Sequence, residues 1–183
     1  MNCAIIVSKI MFGVVLFLLT NQACSQYAES PLKGRKWYSF AGGLNSADFV
    51  SWQGMASFSI RGEAVLTQTR LAFTQELVNP KNDDITFRRN KMAEFALMWG
   101  DGWGNKKWYA TGAIGFGFNV RFFGRRTEYE DEYLTVITAG VPIQLEFGIK
   151  LGKSSGINLT GVGNWNFRQP YLGCNVGYYV IIK

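Results

Sequence analysis

The chain has 183 residues, a formal net charge of +6, 21 glycines, 15% aromatic residues and only 17% charged residues, a balance with less charge and more aromatic surface than soluble domains usually carry. It contains no histidine, which removes the Ser-His and Asp-His catalytic constellations and the commonest zinc sites. Its basic residues are too scattered for a nucleic-acid footprint.

The amino terminus reads as a leader. Lys9 precedes the apolar run Ile10, Met11, Phe12, Gly13, Val14, Val15, Leu16, Phe17, Leu18 and Leu19, and Ala23 and Ser25 follow at an Ala-x-Ser spacing. The run is short for a bilayer span, and charge, apolar run and small residues come in the order of a secretory signal peptide. Cleavage is expected before Gln26, giving a signal peptide over 1–25 and one domain over 26–183. Cys24 offers a competing reading as an acylation site, set back by Asn21 where a lipobox wants an aliphatic residue. Removing Lys9 leaves 18 basic against 13 acidic residues, a net +5 that suits a surface beside anionic headgroups. Cys174 is then alone and forms no internal disulfide. It falls on an apolar face, as a small hydrophobe would.

Eight strands are expected, near 36–45, 49–61, 63–77, 85–99, 107–122, 133–152, 156–168 and 171–182. The first four are less regular. Val50, Trp52, Ala56, Phe58 and Ile60 share a face against Ser51, Gln53, Ser57, Ser59 and Arg61. Leu71, Phe73 and Leu77 oppose Arg70, Ala72, Thr74 and Glu76, while 63–69 loses phase as a bulge would make it. Gly100, Asp101, Gly102, Trp103, Gly104 and Asn105 read as a glycine-rich turn.

From Trp108 the alternation is clean. Ile114, Phe116, Phe118, Val120 and Phe122 lie on one face, with Tyr109, Thr111, Asn119 and Arg121 on the other. Val141, Ile143, Leu145, Phe147, Ile149 and Leu151 interleave with Pro142, Gln144, Glu146, Gly148 and Lys150. The same design recurs in Ile157 to Arg168 and in Tyr171 to Ile182. Period two means extended strand.

A soluble sandwich also alternates, with its apolar face inside. The leader decides between the two. An exported chain with no later helix-length apolar stretch spans a membrane only as a closed barrel, because unpaired amides in lipid cost several kcal/mol each. About eight strands would use nearly all of 26–183. With the amino terminus in the periplasm, 45–48, 78–84, 124–132 and 169–170 are the outer connections, and Lys153, Ser154, Ser155 and Gly156 make a tight periplasmic turn. Aromatic residues gather near strand ends: Trp37, Tyr38, Trp99, Trp103, Trp108, Tyr178 and Tyr179 toward one rim, and Trp52, Phe122, Phe123, Tyr133, Trp165 and Phe167 toward the other.

The candidate site is an interior charge network of Arg61, Glu63, Arg70, Glu94, Arg121, Glu146, Lys150 and Arg168. Eight strands leave an interior that side chains just fill, so paired Arg and Glu would plug the lumen. The alternative is a narrow ion path lined by the same residues. Glu128, Glu130, Asp131 and Glu132 match no calcium loop and read as a solvated tip. Arg88, Arg89, Arg125 and Arg126 flank outer loops and are candidate contacts for lipopolysaccharide phosphates. Ordinary rim charges are the plainer account.

In the last strand Asn175, Gly177, Val180 and Ile182 fit a polar-x-Gly-x-x-apolar-x-apolar pattern. With the alternation, it resembles the small outer-membrane β-barrels of Gram-negative bacteria, the OmpA/OmpX-like class. The resemblance implies a closed antiparallel up-and-down transmembrane barrel, a home among outer-membrane lipids and lipopolysaccharide, and recognition of the last strand by the barrel-assembly machinery. Outer-membrane barrel enzymes rely on His as base, and with none in this chain no enzyme activity and no cofactor are expected. The expected role is structural or interactive, with no protein partner named by any residue signature. A small-solute pore, an accessory barrel of a secretion or conjugation apparatus, and a soluble lipocalin-like carrier are the alternatives. A carrier should be apolar inside.

Overall fold

A computed structural model describes residues 32–46, 50–77, 91–126, 131–168 and 170–182. They form eight strands: β1 Lys36–Ser46, β2 Val50–Arg61, β3 Leu66–Glu76, β4 Lys91–Gly104, β5 Trp108–Arg126, β6 Asp131–Lys150, β7 Ser155–Trp165 and β8 Tyr171–Ile182. Each pairs antiparallel with the next, and β8 returns to pair with β1. No described strand is left at an edge along the barrel body, which is how such a sheet escapes unpaired amides.

The closure is staggered. Successive partners from Lys36 are Ile60, Thr67, Trp99, Ile114, Ile143, Gly163 and Leu172, and Leu172 pairs with Ser46, ten residues along β1 from the start. A barrel of this kind tilts its strands by roughly 40° to the axis.

Alternation along each strand divides the residues between two surfaces. Arg70, Gln53, Gln68, Gln144, Asn119, Asn164, Asn175 and Thr160 are shut inside, while Phe40, Phe116, Phe118, Leu159 and Val176 stand exposed outside. Phe116 is 71% exposed and Arg70 0%, the reverse of a soluble core.

At the end where the described residues begin at Leu32 and finish at Ile182 the connections are tight. Gly62 N–H donates to the Val65 carbonyl at 2.9 Å. Asn105 Oδ1 accepts the N–H groups of Lys107 and Trp108 at 2.7 and 3.0 Å. Leu151 and Gly152 both donate to the Ser155 carbonyl at 3.0 Å. Before β1, Arg35 N–H donates to the Leu32 carbonyl at 2.9 Å across Gly34, whose φ of 74° suits glycine. This end is called the terminal end, the other the loop end.

The expected strands are all present, with shifted ends. The lost phase at 63–69 is the β2–β3 turn, after which β3 alternates regularly from Leu66. The glycine-rich stretch from Gly100 to Gly104 is the end of β4, not a turn. A Cβ on Gly100 would lie 1.8 Å from the Gly112 carbonyl oxygen, so glycine there permits the close approach of β4 to β5. β5 and β6 run on to Arg126 and Asp131, into the stretch read as a loop. The leader, Arg88, Arg89, Glu128 and Glu130 lie outside the described residues.

Candidate functional site in the barrel interior

The interior is filled in layers. At its centre the Arg70 guanidinium, on β3, meets the Glu94 carboxylate, on β4: Nε donates to Oε1 at 2.9 Å, and Nη2 donates to the same oxygen. Arg70 Nη1 also donates to the Ile143 carbonyl at 3.2 Å and to Gln144 Oε1 at 3.3 Å, and Nη2 to the Gly163 carbonyl at 3.4 Å. The other oxygen of Glu94 accepts from Asn164 Nδ2 at 2.7 Å and the Tyr171 hydroxyl at 2.6 Å. One ion pair thus ties β3 and β4 to β6, β7 and β8. Charges this deep persist only when paired and hydrogen-bonded, and both conditions are met.

A second cluster lies toward the terminal end around Glu146. Its carboxylate accepts from the Tyr109 hydroxyl, from Asn158 Nδ2 at 2.6 Å, and from Gln68 and Gln144 Nε2 at 3.4 Å each. Asn158 Nδ2 also donates to Ser39 Oγ at 2.6 Å, and Gln68 to Ser59 Oγ at 3.0 Å. Amide and hydroxyl donors, rather than a cation, hold this carboxylate.

Below it the lumen is closed by an apolar floor of Leu32, Trp37, Leu66, Tyr109 and Tyr179. The Tyr109 ring lies 5.6 Å from Trp37 and 4.9 Å from Tyr179, centroid to centroid. Trp37 and Tyr179 therefore face inward rather than joining the lipid-facing girdle expected of them, because both sit on the inner parity of their strands. Tyr38, Trp99, Trp103 and Tyr178 do face outward at this end, and Trp52, Phe122, Trp165 and Phe167 at the other.

The expected network is only partly assembled. Arg61 lies inside at the terminal end, bridged to Asp101 at 2.6 Å. Arg70, Glu94, Glu146 and Arg121 are buried inside. Lys150 is half-buried at the terminal mouth, in a recess that Arg35, Lys106 and Lys107 also line. Two expectations are corrected. Glu63 belongs to the turn after β2, where it is exposed and bridges Lys33 at 3.3 Å. Arg168 is exposed beyond the end of β7, because Asn166 Oδ1 accepts its backbone N–H at 3.2 Å and turns the chain out of the sheet. Arg125 and Arg126 end β5, in register with Glu132 and Asp131. Sequence reasoning missed Asp101 and the neutral partners Tyr109, Tyr171, Asn158 and Asn164, whose signal was their place on the polar face.

The walls, stagger and filled lumen are those of a known architecture. The fold is that of the small outer-membrane β-barrels. Neisserial surface protein A matches with a TM-score of 0.60 at 8% identity, over 80% of this chain and 95% of that one. Ail, the attachment invasion locus protein of Yersinia pestis, matches at 0.57 and 8%, over 81% and 97%. A major outer membrane protein from Thermus thermophilus matches at 0.55 and 8%, over 80% and 99%. No family model and no curated protein matches the sequence. At such identity the likeness is one of fold, and the residues filling the lumen are this chain's own.

Proposed function

We propose that the chain is an integral outer-membrane β-barrel with a sealed lumen and a structural or interaction role in the cell envelope, without an enzymatic step. The observation that carries this reading is the inverted distribution of polarity. Buried glutamines, asparagines and an Arg–Glu pair occupy the centre, while Phe40, Phe116, Phe118, Val176 and Leu159 face outward from a surface with girdles at both ends. Such a surface fits lipid, and an amphipathic barrel with no open edge along its body satisfies its own amides there.

The polar interior is opposite to what a lipocalin-like carrier needs, since a carrier presents apolar residues to its ligand. The central ion pair and the aromatic floor block a straight aqueous path, which favours the structural reading over a pore. Residues 1–25 would be the signal peptide and 26–183 the inserted domain, with β8 read by the barrel-assembly machinery. Arg88, Arg89, Arg125 and Arg126 are proposed to meet lipopolysaccharide phosphates at the loop end. Ail has been solved with the heparin analogue sucrose octasulfate, and arginines suit polyanions of that class.

The test is to fractionate cells and run the detergent-solubilised protein on a gel with and without boiling. Heat-modifiable migration from the outer-membrane fraction is the expected result. A soluble periplasmic protein without that shift would overturn the reading.

A further inference from the structure

The β4–β5 turn is short and basic. Asn105 Oδ1 holds the N–H groups of Lys107 and Trp108, and Asn105 N–H donates to the Trp108 carbonyl at 2.8 Å, so Lys106 and Lys107 stand at the tip of a closed turn. The Lys107 carbonyl accepts the Lys150 N–H at 2.7 Å, which fastens this turn to the end of β6. The result is the recess at the terminal mouth, where Arg35, Lys106, Lys107 and Lys150 surround the rings of Tyr109 and Tyr179. Among the described residues no carboxylate lines it, and none of its four cations takes part in an ion pair.

Like charges gathered around one concavity repel, so the arrangement gains most from an anion held between them. Guanidinium and ammonium donors suit the oxygens of a phosphate. The recess also reaches the outer wall. Trp108 lines it and stacks on Phe147, ring centroids 6.0 Å apart, and Phe147 is exposed on the outer face. Tyr38, Trp99, Trp103 and Tyr178 face outward at the same end, and such rings mark the depth of lipid headgroups in a membrane barrel.

We propose that this recess binds the phosphate of an anionic phospholipid whose headgroup carries no amine, with an acyl chain lying along Trp108 and Phe147. The proposal rests on the membrane reading, which puts lipid beside the outer wall. It adds a lipid site at the opposite end of the barrel from Arg125 and Arg126. The lining sets the headgroup. A zwitterionic lipid would bring its own ammonium among cations that have no carboxylate to offer it, and that repulsion is a basis for selection. The path from the recess to Phe147 favours a lipid over a free phosphate, which would use the cations and leave the outer rings uncovered.

The test uses the whole protein folded in non-ionic detergent, with bound lipid counted by native mass spectrometry. The probes are phosphatidylglycerol, phosphatidylcholine with the same acyl chains, and glycerophosphate. Phosphatidylglycerol is expected to bind about 10-fold or more tightly than phosphatidylcholine, and Lys106→Gln with Lys107→Gln and Lys150→Gln to abolish that preference. Lys106→Gln alone, at the exposed tip of the turn, is expected to weaken it by about 3-fold while heat-modifiable migration persists. Lys33→Gln with Lys36→Gln and Lys153→Gln removes the same charge from exposed positions at this end that do not line the recess, and should keep the preference within about 2-fold. Equal loss in the two triple variants would overturn the proposal in favour of a diffuse basic rim, as would equal binding of the two lipids. Glycerophosphate bound as tightly as phosphatidylglycerol would also overturn it, and make a soluble phosphate ester the occupant. Loss of heat-modifiable migration in the unaltered chain would instead overturn the membrane reading, so the two failures are distinct.

Discussion

Arg70 and Glu94 lie diagonally across the β3–β4 ladder, Nε to Oε1 at 2.9 Å, with neither side chain exposed to solvent. The partner left behind when one is removed has no water to turn to. Arg70→Met alone is expected to lower stability by about 3–5 kcal/mol, because it strands a buried carboxylate. Arg70→Met combined with Glu94→Gln should recover most of that loss. Urea unfolding in lipid vesicles measures both, and strictly additive single effects would refute the coupling.

Tyr109→Phe removes a hydroxyl donor from Glu146 and keeps the ring packed on Trp37 and Tyr179. The expected loss is about 1–3 kcal/mol, the cost of a buried acceptor left short of a partner. Tyr38→Phe, on the outer face, should stay within about 0.5 kcal/mol of the parent. Equal effects at the two sites, read in the same unfolding assay, would argue against the Glu146 cluster as a stabilising unit.

Two glycines should behave in opposite ways. Gly100→Ala places a methyl 1.8 Å from a backbone oxygen, so β4 and β5 must separate. A loss of roughly 1–3 kcal/mol is expected from that overpacking. At Gly42 the nearest atom to an added Cβ is the Gln53 carbonyl oxygen at 3.8 Å, and Gly42→Ala should be neutral or slightly stabilising. The comparison is one of unfolding midpoints.

The outer surface is tested by depth. Phe116 is exposed midway along the barrel wall, so Phe116→Arg should destabilise by about 2–4 kcal/mol in a bilayer. Phe167, beyond the end of β7, should tolerate Phe167→Arg at about 0–1 kcal/mol. Vesicle unfolding that ranks the two the other way would mean the apolar belt is not the lipid-facing one.

Much of this was legible in the sequence wherever one face of a strand is uniformly apolar. Phe116, Phe118 and Phe122 against Asn119 and Arg121 fix both the strand and its facing. Parity says which surface a residue occupies and not whom it meets across the lumen. Arg70 reaches the Gly163 carbonyl, 93 positions away, only because of the ten-residue stagger, and no local pattern encodes that. Alternating glycines hid the end of β4, and with it the partner of Arg61. Alternation also misplaced Arg168, since its phase continues after Asn166 has already bent the backbone away.

The seam between β1 and β8 joins the first described strand to the last, through eleven paired positions. Until that seam forms, Arg70, Glu94 and Glu146 have no enclosed space in which to meet their partners, and in a bilayer they would face hydrocarbon. On the membrane reading, entry into the bilayer and completion of the cylinder would therefore be a single event in time. A nascent chain missing only its last dozen residues would be no more insertable than one missing half. On the membrane reading, the polypeptide must be kept from collapsing until synthesis has delivered β8.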